Sequence, residues 1–221
     1  MPKTAILLGA TGATGYELLK LLLADSRYEK VILFSRKSIT NIMHTKFEEH
    51  IIDVLDLEKH ANLFIADEVY CCIGTTKAKT PDEEKYYKID YGIPVTAAKL
   101  AKQNNIPTFL VISAIGANKN SSVFYNHTKG EMEEAVISQN IPKTHILEPS
   151  LIVANRRESR FMENVAAGFM RLINPFLFGK AVKYKSIKAQ TIAKALVWLA
   201  NNPYPEIIVP SDKIEKIGKE A

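Results

Sequence analysis

Tyrosine followed four residues later by lysine puts both side chains on one face of a helix. There the ammonium can lower the phenol's pKa from its ordinary value of about 10 and ready it for proton transfer. The chain carries this pair three times, as Tyr16/Lys20, Tyr125/Lys129 and Tyr184/Lys188. A second chemical feature opens the sequence. In TAILLGATGATGYELLKLLL an apolar run leads into Gly9, Gly12 and Gly15, and then into an amphipathic helical pattern. One glycine is enough for a tight turn. Three, spaced by pairs of small residues, suggest a cradle in which backbone N–H groups and a helix N-terminus face a phosphate. A mononucleotide loop would continue Gly-Lys-Ser/Thr, whereas Gly15 is followed by Tyr16-Glu17, so that loop is excluded.

These residues need elements to hold them. Short apolar runs (TAILLG, KVILFS, EEHIID, EVYCCIG, PTFLVIS and KTHILEPS) read as strands. Helical patterns lie between and after them, at Gly15–Ala24, from Pro81 to Gln103 with a kink at Pro94, at Val123–Ser138, and near Ala189–Asn201. The alternation predicts an α/β fold with a doubly wound parallel sheet, and strands apolar nearly throughout are those covered on both faces. After EPSLIV the alternation stops. The expected organisation is one domain over residues 1–221, with a small non-sheet C-terminal portion and a substrate-side lid at 150–190.

Composition bounds the rest. With 221 residues and 47% hydrophobic content, the chain can bury a sizeable core. Its net charge of +5 comes from 29 basic and 24 acidic residues spread along the sequence; this reads as solvated surface with a modest lean toward an anionic ligand. No basic stripe with interleaved aromatics suggests nucleic acid, and no run nears the roughly 20 apolar residues of a membrane span. Cys71 and Cys72 are adjacent, suited neither to a relaxed disulfide nor to zinc. His44, His50, His60, His127 and His145 show no metal-ligand spacing, so no metal is expected. Reduced cysteines and the lack of a signal-peptide pattern predict a cytoplasmic protein.

Ligands of doubly wound sheets sit beyond the carboxyl ends of the strands. Those ends carry the triple-glycine turn, Ser35-Arg36-Lys37, Asp53, Gly74-Thr75-Thr76, Ser113 and Pro149-Ser150. A dinucleotide fits this rim, its pyrophosphate resting over Thr11, Gly12, Ala13, Thr14 and Gly15. In that arrangement Gly9 allows the turn, Gly12 the close approach and Gly15 the contact of helix with sheet. After the second strand an NAD-type site places a carboxylate for the ribose hydroxyls. This chain places Arg36 and Lys37, which would attract a 2′-phosphate, so NADP(H) is expected over NAD(H). Asp53 either accepts from the adenine amino group or is a turn residue. Among the three tyrosine–lysine pairs, Tyr16 starts the phosphate-turn helix and Tyr184 lies beyond the alternating region. Tyr125/Lys129, on the helix after the fifth strand, is the pair that can reach the nicotinamide.

The ordered set GATGATG, CIGTT, VISAIGA, YNHTK and EPSLIVANRRESR resembles the atypical short-chain dehydrogenase/reductase family. Its nearest branch is that of Tat-interacting-protein-like and bacterial nucleoside-diphosphate-sugar-epimerase-like proteins. The resemblance runs from Thr4 to about Arg160. It implies a Rossmann fold, NADPH binding and a catalytic pair of Tyr125 and Lys129. It also implies that Cys72, Ile73, Gly74, Thr75 and Thr76 line the dinucleotide, and that Pro149 and Ser150 border the nicotinamide. One departure stands out: after the fifth strand the chain has Ser113-Ala114-Ile115 in place of paired hydroxyls, so Ser113 either donates to the substrate carbonyl or caps the strand. Arg156, Arg157, Glu158 and Arg160 are either solvated or in contact with substrate, and FMRLINPFLFG is a core, lid or homodimer segment. The function expected is NADPH-dependent reduction of a small-molecule carbonyl. The alternatives are a nucleotide-sugar epimerase or dehydratase-like enzyme, or an NADPH-binding sensor that engages a protein partner.

Overall fold

A computed structural model describes residues 2–39, 42–153 and 185–221. In chain order it runs β1 (Lys3–Leu8), α1 (Ala13–Ala24), β2 (Tyr28–Ser35), β3 (Phe47–Ile51), a 3-10 helix (Val54–Leu63), β4 (Glu68–Cys71) and α2 (Glu83–Tyr87). A π-helical turn (Lys88–Gly92), α3 (Ile93–Gln103), β5 (Thr108–Ile112), α4 (Phe124–Ile137) and β6 (Lys143–Glu148) follow. The described C-terminal part adds β7 (Ile152–Val153), β8 (Ile187–Lys188), α5 (Ala189–Asn201), β9 (Ile208–Pro210) and α6 (Ser211–Glu220).

Seven strands form one parallel sheet in the order β3-β2-β1-β4-β5-β6-β9. Alternate side chains of each strand enter different cores. Ala5, Leu7, Val31 and Leu33 pack on the face covered by α1, α5 and α6. Ile6, Leu8, Ile32 and Phe34 pack on the face covered by α3, α4 and the 3-10 helix. This two-sided burial is why the strands read as unbroken apolar runs. From β1 the sheet grows one way through β2 and β3, and the other way through β4, β5 and β6. The β1/β4 boundary is therefore the topological switch point, the place where such sheets open a ligand crevice.

All six strands read from the sequence are present in the sheet. The C-terminal portion, expected to lie outside it, contributes the seventh: β9 pairs in parallel with β6 through Ile208 and Val209. Its three residues end in proline and are too few to show a period. The helical stretch from Pro81 to Gln103 is divided by the π turn. There the Ile93 N–H reaches back to the Lys88 carbonyl, and Pro94 occupies the first turn of α3. A proline ring clashes with the carbonyl four residues earlier, here that of Asp90, and offers it no N–H. Widening the helix by one residue accommodates the misfit.

Candidate dinucleotide and catalytic site

The turn from β1 into α1 is built by its glycines. Gly9 has φ +83°, and a Cβ there would lie 2.7 Å from the Cys72 carbonyl; a Cβ on Gly15 would overlap the Gly9 carbonyl. The Gly12 N–H donates to the Gly9 carbonyl at 2.9 Å, and the first helical bond runs from the Tyr16 N–H to the Gly12 carbonyl. The N–H groups of Ala13, Thr14 and Gly15 thus have no acceptor within the helix. No side chain caps this end and no acidic residue occupies its first turn. Thr11 sits exposed at the mouth of the turn and Thr14 is buried behind it. An uncapped helix N-terminus at the switch point, free of competing carboxylates, fits a pyrophosphate.

Arg36 and Lys37 are both exposed just after β2. The sequence left no carboxylate beside them, but the fold supplies one. Glu49 reaches across from β3 and accepts from the Ser38 hydroxyl at 2.7 Å, from the Ser35 hydroxyl at 3.1 Å and from the Ile39 N–H at 3.1 Å. That carboxylate is engaged in shaping the loop that presents the two cations. Asp53 acts as a turn residue, its carboxylate accepting from the Leu55 N–H at 3.1 Å to start the 3-10 helix.

Beyond β4 the chain crosses the switch point. Burial pushes the Cys71 thiol up to about 11. Burial and then the neighbouring Cys71 raise Cys72 as well, so both cysteines are inert thiols. Gly74 faces the centre of the site: a Cβ there would lie 3.5 Å from Asp90 Oδ1 and 3.9 Å from Lys129 Nζ. The Thr75 N–H donates to Asp90 Oδ2 at 2.7 Å, while the Thr75 and Thr76 region folds back on Lys79 and Thr80.

Helix α4 carries Tyr125 in its first turn, with Lys129 and Glu133 one and two turns further along the same face. Lys129 is 3% exposed, and its ammonium lies 2.9 Å from Asp90 Oδ1. Tyr125 is 39% exposed. The spacing predicted a phenol lowered by lysine, and the structure corrects this: burial raises the Tyr125 pKa first, Lys129 lowers it second, and Asp90 raises it again. The net direction is upward because burial outweighs the lysine, and Asp90, a counter-ion the spacing did not show, adds to the rise.

Ser113 is buried, and its hydroxyl donates to Glu133 Oε1. This hydroxyl is directed into α4. Glu133 is raised to about 7, by burial first and against the Ser113 hydrogen bond, with Glu148 raising it and Lys129 lowering it. Ser150 is likewise turned inward, its hydroxyl donating to the Lys185 carbonyl and its N–H to the Ser211 hydroxyl at 3.1 Å. Pro149 is buried beside it, accepting from the Ile115 N–H at 3.0 Å. The rival Tyr16 is 43% exposed and covered by Lys20, 5.3 Å from its ring centre. Tyr184, Arg156, Arg157, Glu158, Arg160 and FMRLINPFLFG lie outside the described residues.

Sequence reasoning missed Asp90, Glu133 and Glu49. Two had a signal: Asp90 stands four residues before Pro94, and Glu133 extends the Tyr125/Lys129 stripe by one turn. Among the described residues no cluster of histidine, cysteine and carboxylates could hold a metal, and no helix is long and apolar enough to cross a membrane.

A dinucleotide-type sheet order, joined to the glycine turn and to a tyrosine–lysine helix at the crevice, defines the atypical short-chain dehydrogenase/reductase class, and the chain is a Rossmann protein of that class. Residues 9–164 match the family described as NAD(P)H-binding, and the chain belongs to it. It is 34% identical over 178 residues to Protein FMP52-1, mitochondrial, of Scheffersomyces stipitis, covering 77% of each chain. It is 31% identical over 170 residues to Protein HTATIP2 of Rattus norvegicus, covering 76% of this chain and 70% of the relative. Protein FMP52, mitochondrial, of Meyerozyma guilliermondii is 30% identical over 229 residues, 98% of this chain and 95% of that one. Among solved structures, a UDP-glucose 4-epimerase of Thermotoga maritima with UDP-glucose superposes with a TM-score of 0.72 at 14% identity, over 98% of this chain and 82% of that chain. An L-threonine dehydrogenase of Clostridium difficile gives 0.69 at 17%, over 91% and 72%. At such identities the likeness is one of fold.

The mitochondrial names of several relatives overturn the expectation of a cytoplasmic protein. Reduced cysteines and the lack of a signal-peptide pattern, on which it rested, do not tell one reducing compartment from another.

Proposed function

We propose that this protein reduces a small-molecule carbonyl with NADPH, Tyr125 giving the proton. The observation that carries the reading is Lys129: a buried ammonium, one helical turn from Tyr125, held against Asp90 at the crevice where the glycine turn and the loop after β4 meet. A lysine is buried at such cost only where its charge is used or tightly paired. When bound, the dinucleotide supplies a hydride to the carbonyl carbon. The Tyr125 hydroxyl delivers the proton to the carbonyl oxygen, its O–H bond breaking as the product's forms, and the phenolate recovers a proton from solvent. Lys129 stabilises that phenolate, and Arg36 with Lys37 favours the 2′-phosphate.

Tyr125→Phe keeps the ring, so NADPH affinity should hold while carbonyl reduction falls by about 100- to 10,000-fold. NADPH oxidation across a panel of aldehydes, ketones and quinones tests this, and equal rates in parent and variant would overturn it. Arg36→Ala should weaken NADPH by about 1.5–3 kcal/mol, the range for hydrogen bonds to charged groups, and leave NADH unchanged. Fluorescence titration with both cofactors reads that difference; equal affinities in the parent protein refute the NADPH preference.

A further inference from the structure

We propose that Asp90 is a positioning residue of this site: its carboxylate ties Lys129 to the loop after β4 and balances the lysine's charge. The proposal rests on the reductase reading and adds to it the residue that sets the state of the proton donor.

Asp90 is fully buried. One oxygen, Oδ1, forms an ion pair with the Lys129 ammonium at 2.9 Å. The other accepts from the Thr75 N–H at 2.7 Å. Three segments distant in sequence thus meet on one carboxylate: the loop after β4, the π turn and α4. The placement depends on local geometry that the helix adopts for this stretch alone. Pro94 removes the N–H that the Asp90 carbonyl would accept, the helix widens through Lys88–Gly92, and the Asp90 side chain is rotated relative to a regular α-helix. Such π segments are frequent at functional sites because they re-aim one side chain without breaking the helix.

The charge balance has a chemical consequence. A lone buried ammonium would favour the Tyr125 phenolate, the form suited to removing a proton. With Asp90 beside it, the ammonium's field at the phenol is partly cancelled, and the phenol keeps the proton that reduction requires. The other groups facing the pair are Glu133 on α4, Cys71 on β4 and Tyr86 on α2, with Glu148 behind Glu133. Cys71 and Tyr86 are held neutral by burial. The upward direction found for Tyr125, with Lys129 and Asp90 acting in opposite senses, agrees with this.

Tyrosinate absorbance measures the phenol directly in the protein without cofactor. The chain has 9 tyrosines, so the Tyr125 signal is the difference between each protein and its Tyr125→Phe counterpart. Asp90→Asn keeps the shape and an acceptor for Thr75 while removing the charge. It should move the Tyr125 midpoint down by about one pH unit, the low end for an unmatched nearby charge, and move the alkaline limb of carbonyl reduction with it. Lys129→Met should move the midpoint up. The double variant Asp90→Asn/Lys129→Met, which leaves neither charge alone and keeps the test open if Asp90→Asn does not fold, should titrate near the parent. A double variant displaced as far as Lys129→Met alone, or an Asp90→Asn midpoint that stays in place, would overturn the proposal. A phenol that moves in a protein reducing no carbonyl would sink the reductase reading and leave the charge balance standing. An unmoved phenol in an active enzyme would do the reverse.

Discussion

Two buried polar networks sit at opposite ends of the same sheet and are built to different standards. At the N-terminal ends of the strands, Glu68 takes three donors: Lys3 Nζ at 2.6 Å on one oxygen, and the hydroxyls of Tyr28 and Tyr70 at 2.7 and 2.6 Å on the other. Asn201 closes the group from α5, accepting from Lys3 at 2.8 Å and donating to the Tyr28 hydroxyl at 2.8 Å. Burial holds both phenols well above their ordinary range. At the C-terminal ends, Asp90 Oδ1 pairs with the Lys129 ammonium at 2.9 Å, and Glu133 is raised to about 7. The lower network is saturated and ties α5 to the sheet. The upper one holds a buried ion pair beside a carboxyl raised toward neutrality, the kind of perturbed group that gathers where a ligand binds.

Breaking the upper network should do the most. Lys129→Ala leaves Asp90 charged, buried and without its counter-ion, a change that costs about 3–5 kcal/mol where buried pairs lose one partner. It should also remove cofactor affinity and turnover together. Urea unfolding and cofactor titration on one preparation check both; full retention of NADPH binding would show that the two ends differ less than their geometry says. Glu68→Ala should lower stability by about 2–3 kcal/mol, since it strips partners from two buried phenols, while Lys3 can turn to solvent. Cofactor affinity should not change, and a loss of binding in the folded variant would break the division of labour between the two ends.

The smallest effect concerns pH. Glu133 has a folded pKa of about 7, above its ordinary 4.5. The native state therefore binds more protons than the unfolded one between those values, and this group lowers stability as pH rises through that window. Urea midpoints should fall between pH 5 and pH 8, and Glu133→Gln, neutral throughout, should flatten the slope. A slope unchanged by that substitution would assign the pH dependence to other groups.

The sequence by itself determined the sheet and the pairing of chemistry with strand ends. Apolar runs such as ILL in β1 and FLVI in β5 can be buried only on two sides, and this forces helices onto both faces and ligands to the carboxyl edge. The turn through Gly9 and Gly15 was legible for the same local reason, since a side chain at either position meets backbone. Tertiary structure decided what surrounds Tyr125. Asp90 and Lys129 are separated by 39 positions along the chain, and nothing in the period of either helix marks them as a pair; a π turn and a close crossing of α4 bring them to 2.9 Å. The orientation of the Ser113 hydroxyl toward Glu133 and the reach of Glu49 into the Arg36–Lys37 loop arise the same way. Periodicity records which face of an element is buried. The partner a charge meets on that face depends on how separate elements cross, and this is set by packing of the whole core.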